Sequence, residues 1–392
     1  MVSQDLSDLL EDSRFKEVKR LKKKNLPHKL HWFIDEDYFS EELLEIYNFE
    51  LDRFVNLSKE GYQLFVDATH QIINRNQLHL LGIPDSFHNC IYHSWQQRDK
   101  HPFLYGRFDI NGGFDRTNPK IIEFNADTCS TLPETLFWQP LQLEQLGSGY
   151  RQFNNFTTDI EKVFTAIKGH IPFENPSFLA STLGYNEDVL NANCITDSAY
   201  KSGFYPFYLD LEKVVFSAEE GIFYEIDGEY QPVDVFFKIF PWDWIIHEEP
   251  ELARTLSSII TKDLSIVLNP AYTTIWQNKR FLAYITQNFP NDIIAKTYES
   301  QPSTSNYVVK PIYGRLGENI EIKTSKVVTS KGDYGNQQKI YQEFCPLAKD
   351  KENYFYQTGM ILVGDTPSAL NVRAQDSEII TDDCEFMSHF LR

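Results

Sequence analysis

The sequence predicts an α+β protein of two or three packed subdomains, on three observations. The chain has 392 residues, beyond the size at which a single hydrophobic core keeps growing. Residues 4–80 repeat apolar side chains at three- and four-residue intervals with few glycines, whereas alternating, strand-like runs dominate from Leu104 onward. Hydrophobic residues make up 42% and aromatic residues 15%, the composition of a folded chain able to bury a closed site.

In chain order, residues 41–57 and 62–77 carry the clearest helical periodicity, and 4–80 reads mainly as helical scaffold. Residues 104–110 and 120–126 read as two strands of a hairpin around the turn cluster Asn111-Gly112-Gly113. A short buried strand at 178–183, a helix at 189–203 and a strand at 233–240 suggest an α/β layer. Residues 274–289 look helical. The strand runs 307–310 and 319–322 flank a loop with Gly314 and Gly317, and 339–344 and 354–363 are strand-like before a mixed tail beyond Arg373.

The formal charge of -19 repels a phosphate backbone, so no nucleic-acid partner is expected without a concentrated basic face. The dense basic run at residues 16–24, which includes Arg20, reads as the solvated face of an N-terminal helix. An acidic surface does tolerate polycations such as polyamines. Five cysteines (Cys90, Cys129, Cys194, Cys345, Cys384), odd in number and without a CxxC pair, indicate neither a disulfide framework nor a zinc knuckle and suit a reducing cytoplasm. No leader pattern and no apolar run near the roughly 20 residues of a spanning helix is present, so a secreted or membrane protein is not expected.

The most informative stretch is Arg107-Phe108-Asp109 followed by Glu123-Phe124-Asn125-Ala126-Asp127-Thr128. On strands, Glu123, Asn125 and Asp127 share one face, and by the same rule Arg107 and Asp109 share a face. Oxygen donors so arranged suit Mg²⁺, with an arginine placed to neutralise a transferring phosphoryl group; the alternative is a polar, solvent-facing strand with a surface salt bridge. Lys279 and Lys310 are candidate phosphate counter-ions, Lys310 leading into the glycine loop. Walker, GxGxxG, HExxH and GxSxG patterns are missing, and His28 and His31 fall in the N-terminal scaffold. Cys129 has no local histidine partner and reads as a packing or substrate-lining residue.

These two stretches resemble the glutathionylspermidine synthetase family, including its shorter relatives without an amidase domain. The resemblance runs through Phe240-Pro241-Trp242-Asp243-Trp244, Asn278-Lys279, the segment from Lys310 to Ile320, Ile340-Tyr341-Gln342-Glu343-Phe344, Val363-Gly364-Asp365 and Arg373. It covers about residues 100–392, in the family's order.

The resemblance implies a circularly arranged ATP-grasp fold with mixed or antiparallel sheets, in which the metal ligands precede the ATP-binding lysines. It implies four segments: 1–100 as a mainly helical scaffold, 101–170 for metal and phosphate, 171–270 as an α/β substrate region of pre-ATP-grasp type, and 271–392 for ATP and the C-terminal return. By the same resemblance Asp109, Glu123 and Asn125 are Mg²⁺ ligands, and Arg107 meets the γ-phosphate and reacting carboxylate. Lys279, Lys310 and Gly317 contact ATP phosphates or close over them, and Gln342, Glu343, Phe344 and Cys345 form the hinge to adenine. Gln357 and Glu378, Ile379 and Ile380 are further nucleotide contacts, and Arg373 is a mobile-loop arginine stabilising the transferring phosphoryl group. Thr128 faces the acyl substrate, and Glu187 and Asp188 face the amine and glutathione part. Where the short relatives often have Pro-Thr, this chain has Cys129-Ser130.

The implied activity is an ATP- and Mg²⁺-dependent ligase joining a small-molecule carboxylate to an amine through an acyl phosphate, without the hydrolytic half. Glutathione and a polyamine are the leading pair. The competing readings are a phosphotransferase with a stable acceptor and a non-catalytic nucleotide-binding regulator.

Overall fold

The computed structural model describes residues 8–22, 24, 26, 31, 38–115 and 117–392. An eight-stranded sheet forms its centre. In spatial order this runs Phe15–Glu17, Phe39–Glu45, Glu385–Phe390, Thr366–Gln375, Phe355–Val363, Tyr105–Asn111 and Lys120–Asn125, with Ala348–Lys349 also paired to Phe355–Val363. All of these pairings are antiparallel except that of Phe39–Glu45 with Glu385–Phe390, which is parallel. Strands near the two ends of the chain therefore lie side by side.

A four-stranded parallel sheet follows the order Ile266–Leu268, Val235–Ile239, Ser177–Thr182, Tyr205–Asp210. Thr297–Tyr298, Lys339–Glu343, Tyr307–Pro311, Glu321–Lys323 and Val327–Thr329 make a five-stranded antiparallel sheet. A small meander of Val214–Ser217, Gly221–Ile226 and Glu229–Pro232 completes the set. The chain is a mixed α/β protein with mixed sheets.

The pair Tyr105–Asn111 and Lys120–Asn125 shows why the sequence alternates there. Phe108 and Phe124 are directly opposite in register, with ring centroids 4.2 Å apart, and point into an aromatic core with Phe65, Phe103 and Trp276. The helix Asn48–Asn74 covers this face and buries Phe54, Phe65, Ala68 and Ile72. Edge-to-face and offset ring pairs add about 0.5–1.5 kcal/mol each beyond the area they bury. The other face is left to Arg107, Asp109, Glu123 and Asn125.

Several expectations are corrected. Residues 41–45 are strand, because Leu43 and Leu44 are fully buried where Phe39–Glu45 pairs with Glu385–Phe390, and long-range pairing outweighs local periodicity. The helix begins at Asn48, where the Glu50 carboxylate accepts the Tyr47 N–H at 2.9 Å. Lys16 lies in the strand Phe15–Glu17 and residues 18–22 form no helix, so residues 16–22 of the basic run are not a helical face; residues 4–7, Lys23 and His28 lie outside the described residues. The helix expected at 274–289 is two, Thr273–Gln277 and Arg280–Asn288. Asn278 breaks it: its Oδ1 accepts the Arg280 N–H at 2.9 Å, and its Nδ2 donates to Leu81 O and the Tyr313 hydroxyl. Arg373 lies within the strand Thr366–Gln375, paired with Gln357 on one side and Phe386 on the other, and is not on a mobile loop.

Asp127 also departs from expectation. The strand ends at Asn125, so the alternation stops before Asp127, whose carboxylate turns into the protein. It accepts from Lys238 Nζ at 2.7 Å and from the Trp242 N–H at 2.6 Å, and both side chains of the ion pair are essentially inaccessible. Lys238 also donates to Phe240 O and lies 4.4 Å from the Trp242 ring centroid. This pair fastens the central sheet to the parallel one. Replacing one member leaves the other charge buried and unpaired, so Asp127→Ala should cost about 3–5 kcal/mol. A denaturant midpoint within error of wild type would refute this anchoring role.

Candidate active site

A cavity of about 560 Å³ opens between the bare face of the central sheet and the five-stranded sheet. Its wall contains Arg107, Asp109, Glu123, Asn125, Thr128, Glu187, Lys279, Lys310, Gly317, Gln342, Glu343, Phe344, Cys345, Gln357, Arg373, Glu378, Ile379 and Ile380. Of the residues singled out from sequence, Asp188 is outside the wall, as is Asp127. Asp188 follows Glu187 in the first turn of the helix Asn186–Lys201, and consecutive helical positions do not share a direction.

Register sets the acidic and basic groups. Asp109 is paired with Glu123 and Arg107 with Asn125 across the two strands, which brings same-face side chains into contact range. The Arg107 guanidinium donates to Asp109 through Nε at 2.6 Å and through an NH2 group at 3.3 Å. Arg373 donates to the same carboxylate at 2.7 Å and Asn125 Nδ2 at 3.1 Å. Burial alone would raise the Asp109 carboxyl, but Arg107 and Arg373 hold it down at about 2. Burial likewise opposes the Arg107 charge, and the Asp109 carboxylate more than offsets it, raising that guanidinium above its ordinary value. Arg373 also donates to Gln357 Oε1 at 2.5 Å, while its buried Nε has no hydrogen-bond partner.

Both lysines reach the same space. The break at Asn278 turns Lys279 inward, where its Nζ meets Gly314 O at 2.7 Å and Glu123 Oε1 at 3.1 Å. Lys310 Nζ donates to Gln342 Oε1 at 2.8 Å, and burial depresses its ammonium. Gln342 Nε2 in turn donates to Ile122 O and Thr297 Oγ1. The register shift beside Asp109 is a bulge of the kind that re-aims groups near active sites.

Beyond Lys310 the wall turns apolar, with Val308, Ile320, Ile322, Phe344 and Ile379 packed as one cluster. Gly317 closes this end with φ 68°. A Cβ there would lie 2.3 Å from the Ile380 carbonyl oxygen, so the glycine loop and residues 378–380 meet only because the side chain is missing. Glu378 pairs with Lys326 at 2.7 Å, and Glu343 accepts the Lys296 N–H at 3.0 Å. Cys129 lines the cavity, but burial pushes its thiol up to about 12, which suits a lining residue and not a nucleophile.

Two carboxylates and an amide on adjacent strands form an all-oxygen donor set of the type a hard cation takes, so Asp109, Glu123 and Asn125 fit Mg²⁺. Each carboxylate is here neutralised by an arginine or a lysine, cations that are equally fitted to phosphate oxygens.

Sequence reasoning missed several wall residues. Gln277 accepts the Ala126 and Asp127 N–H groups and stands beside the Asn278-Lys279 motif that could have drawn attention to it. Arg315 lines the cavity from within the segment 310–320 but the resemblance implies no role for it, and Thr131, Glu134 and Tyr38 line it too but lie in no local pattern. Gly359 acts from beneath, opposite Asp109 in register; a Cβ there would lie 2.2 Å from Asn371 Oδ1 and 2.7 Å from Arg107 Cδ. Gly359→Ala should therefore displace Arg107 and cost about 1–3 kcal/mol as overpacking does. An unchanged denaturant midpoint together with unchanged nucleotide affinity would show that this close approach does not matter.

Residues 14–392 match the family described as glutathionylspermidine synthase preATP-grasp. A Haemophilus influenzae protein provisionally named an acid–amine ligase is 27% identical over 356 residues, covering 87% of this chain and 87% of that protein. Trypanothione synthetase of Crithidia fasciculata is 26% identical over 84% of this chain, and the bifunctional glutathionylspermidine synthetase/amidase of Escherichia coli is 23% identical over 83%. The chain spans 53% and 55% of those two proteins, about half their length. A solved structure of a glutathione synthetase-like effector from Globodera pallida, in its apo form, shares the fold with a TM-score of 0.58 over 90% of both chains at 9% identity. With its matched region running almost from end to end, the chain belongs to the glutathionylspermidine synthase preATP-grasp family.

Proposed function

We propose that the chain is an ATP-dependent carbon–nitrogen ligase that phosphorylates a small-molecule carboxylate and passes the acyl group to an amine. The observation that carries this reading is the cavity's division of labour: an apolar slot, then two lysines, then two arginines converging on a buried carboxylate. That sequence of surfaces suits a base, its phosphates and a reacting carboxylate, in that order. The named activities of the relatives, acid–amine ligase and glutathionylspermidine and trypanothione synthetases, support the same class.

In this reading the adenine lies among Val308, Ile322, Phe344 and Ile379, and Lys279 and Lys310 bind phosphate oxygens as compact point charges. Asp109, Glu123 and Asn125 would hold Mg²⁺, which when bound neutralises phosphate charge. Arg107 orients the carboxylate, and the unpartnered Nε of Arg373 meets the phosphoryl oxygens as charge develops. The acyl substrate lies toward Thr128 and the amine toward Glu187. The metal-ligand strand precedes the ATP lysines in sequence, the circular arrangement of an ATP-grasp, and the four segments set out above keep their roles. A peptide-like acid such as glutathione and a polyamine such as spermidine are the proposed substrates, and the cytoplasm the proposed compartment. Among the described residues no helix is long and apolar enough to cross a membrane.

Purified protein with Mg-ATP should release ADP and phosphate only when an acid and an amine are both supplied, and mass spectrometry should find the amide. A stable phosphorylated product would instead make it a phosphotransferase. Arg373→Ala should lower turnover by roughly 10³-fold while changing nucleotide affinity far less. Glu123→Gln should abolish Mg-dependent turnover in a folded protein. Normal activity in either variant would remove the role given to that residue.

A further inference from the structure

We propose that Glu134 is the general base that takes the proton from the attacking amine, and that Tyr38 positions it. The inference rests on the ligase reading above. An aliphatic amine is an ammonium at neutral pH and has no lone pair to offer, so the second half of the reaction requires a proton acceptor within reach of the acyl carbon.

Glu134 stands in the cavity wall at the start of the helical turn Glu134–Trp138. It is 1% exposed. Its Oε1 accepts the Tyr38 hydroxyl at 2.5 Å, and its Oε2 is buried with no hydrogen-bond partner. The other carboxylates of the wall are differently placed: Asp109 has Arg107 and Arg373, Glu123 has Lys279, Glu378 has Lys326, Glu343 accepts a backbone N–H, and Glu187 and Asp382 are exposed to solvent. Among the described residues no lysine, arginine or histidine forms an ion pair with Glu134. Glu134 lies in the cavity wall with one buried carboxylate oxygen that lacks a donor, and an ammonium reaching that wall would supply one.

Among the described residues, the charged and titratable groups facing Glu134 are Tyr38, Glu187, Arg107 and Cys129. Burial pushes the Glu134 carboxyl up to about 7, with Glu187 adding to the rise and the Tyr38 hydrogen bond and Arg107 opposing it. Burial and the neighbouring Glu134 carboxylate raise the Tyr38 hydroxyl well above its ordinary value, so it remains a donor throughout. A base whose pKa lies near the working pH both holds the right protonation state and drives the transfer.

The step balances as follows. The ammonium gives one proton to the Glu134 carboxylate, and the freed nitrogen lone pair forms the C–N bond. The bond from the acyl carbon to the phosphate oxygen breaks with its electron pair, the second nitrogen proton goes to the departing phosphate, and Glu134 later returns its proton to solvent. Amide, hydrogen phosphate and one proton result.

The test compares two nucleophiles in the full-length protein with Mg-ATP and glutathione: spermidine, which must be deprotonated, and hydroxylamine, which is already neutral at pH 7.5. Glu134→Gln keeps the side-chain volume and an acceptor for Tyr38. It should lower amide formation with spermidine by roughly 10²-fold or more and abolish the acidic limb of its kcat/KM profile, while hydroxamate formation persists. Tyr38→Phe removes a bond that lowers the Glu134 carboxyl, so the limb should move to higher pH. Equal losses with both nucleophiles, or undiminished spermidine turnover, would overturn the proposal with the ligase reading intact. No ADP from the wild type with either nucleophile would count against the ligase reading itself. Independently of any substrate, infrared difference spectra of wild type against Glu134→Gln should show a carboxyl that ionises near pH 7; ionisation at an ordinary glutamate's value of about 4.3 overturns the proposal.

Discussion

A buried carboxylate must either lose its charge or find cations, and Asp109 has found two. Its position on the floor of the cavity, between Arg107 and Arg373, determines what surrounds it. Arg107 reaches it along the same strand and Arg373 from two strands away across the sheet, and Gly359 gives the Arg107 stem room to do so. Gln357 and Asn125 take positions about the same carboxylate and its arginines. Such a cluster is stable only when every member is present, because removing one leaves another charge desolvated. On the proposed function the same arginines that neutralise Asp109 meet phosphate, so ligand binding would exchange one anion for another without creating a new cationic pocket.

The cluster draws on distant parts of the sequence, and the central sheet makes this possible. Arg107 and Asp109 come from one strand, Glu123 and Asn125 from its partner, and Gln357 and Arg373 from strands 200 and more residues later. Alternation within each strand sends Phe108 and Phe124 into the aromatic core and their neighbours into the cavity. Rigidity below and chemistry above thus come from one pleat. The Asp127–Lys238 pair locks the exit of the Glu123 strand to the parallel sheet, so the acid-bearing strand is held on both sides.

Where chemistry coincides with short-range pattern, the sequence was legible. Arg107, Asp109, Glu123 and Asn125 sit in two alternating runs, and Lys310 leads into a glycine loop; the cavity gathers all of them. The pattern misled where it was extrapolated past an element's end. Asp127 kept the spacing of Glu123 and Asn125, but the strand had stopped. Asp188 adjoins Glu187, but a helix turns consecutive residues apart. Residues 41–45 have helical spacing, yet pairing with the last strand decided their state, and pairings across more than 300 residues leave no local trace. Glu134 and Gly359 were invisible for a related reason: one matters for a bond it does not make, the other for a side chain it does not have.

The cavity treats the same functional group in opposite ways. Arginines hold the Asp109 carboxyl at about 2, and burial lifts Glu134 to about 7 although Arg107 faces it too. Permanently ionised and titrating carboxylates within one site mark different tasks. On the proposed reaction, a nucleotide and an acid, both anionic, would be drawn to Arg107, Arg373, Lys279 and Lys310, and a cationic amine to Glu134 and Glu187. The reactants would then be sorted by charge before they meet, and an anionic acyl phosphate formed among the arginines would face an amine that loses its positive charge only on reaching Glu134.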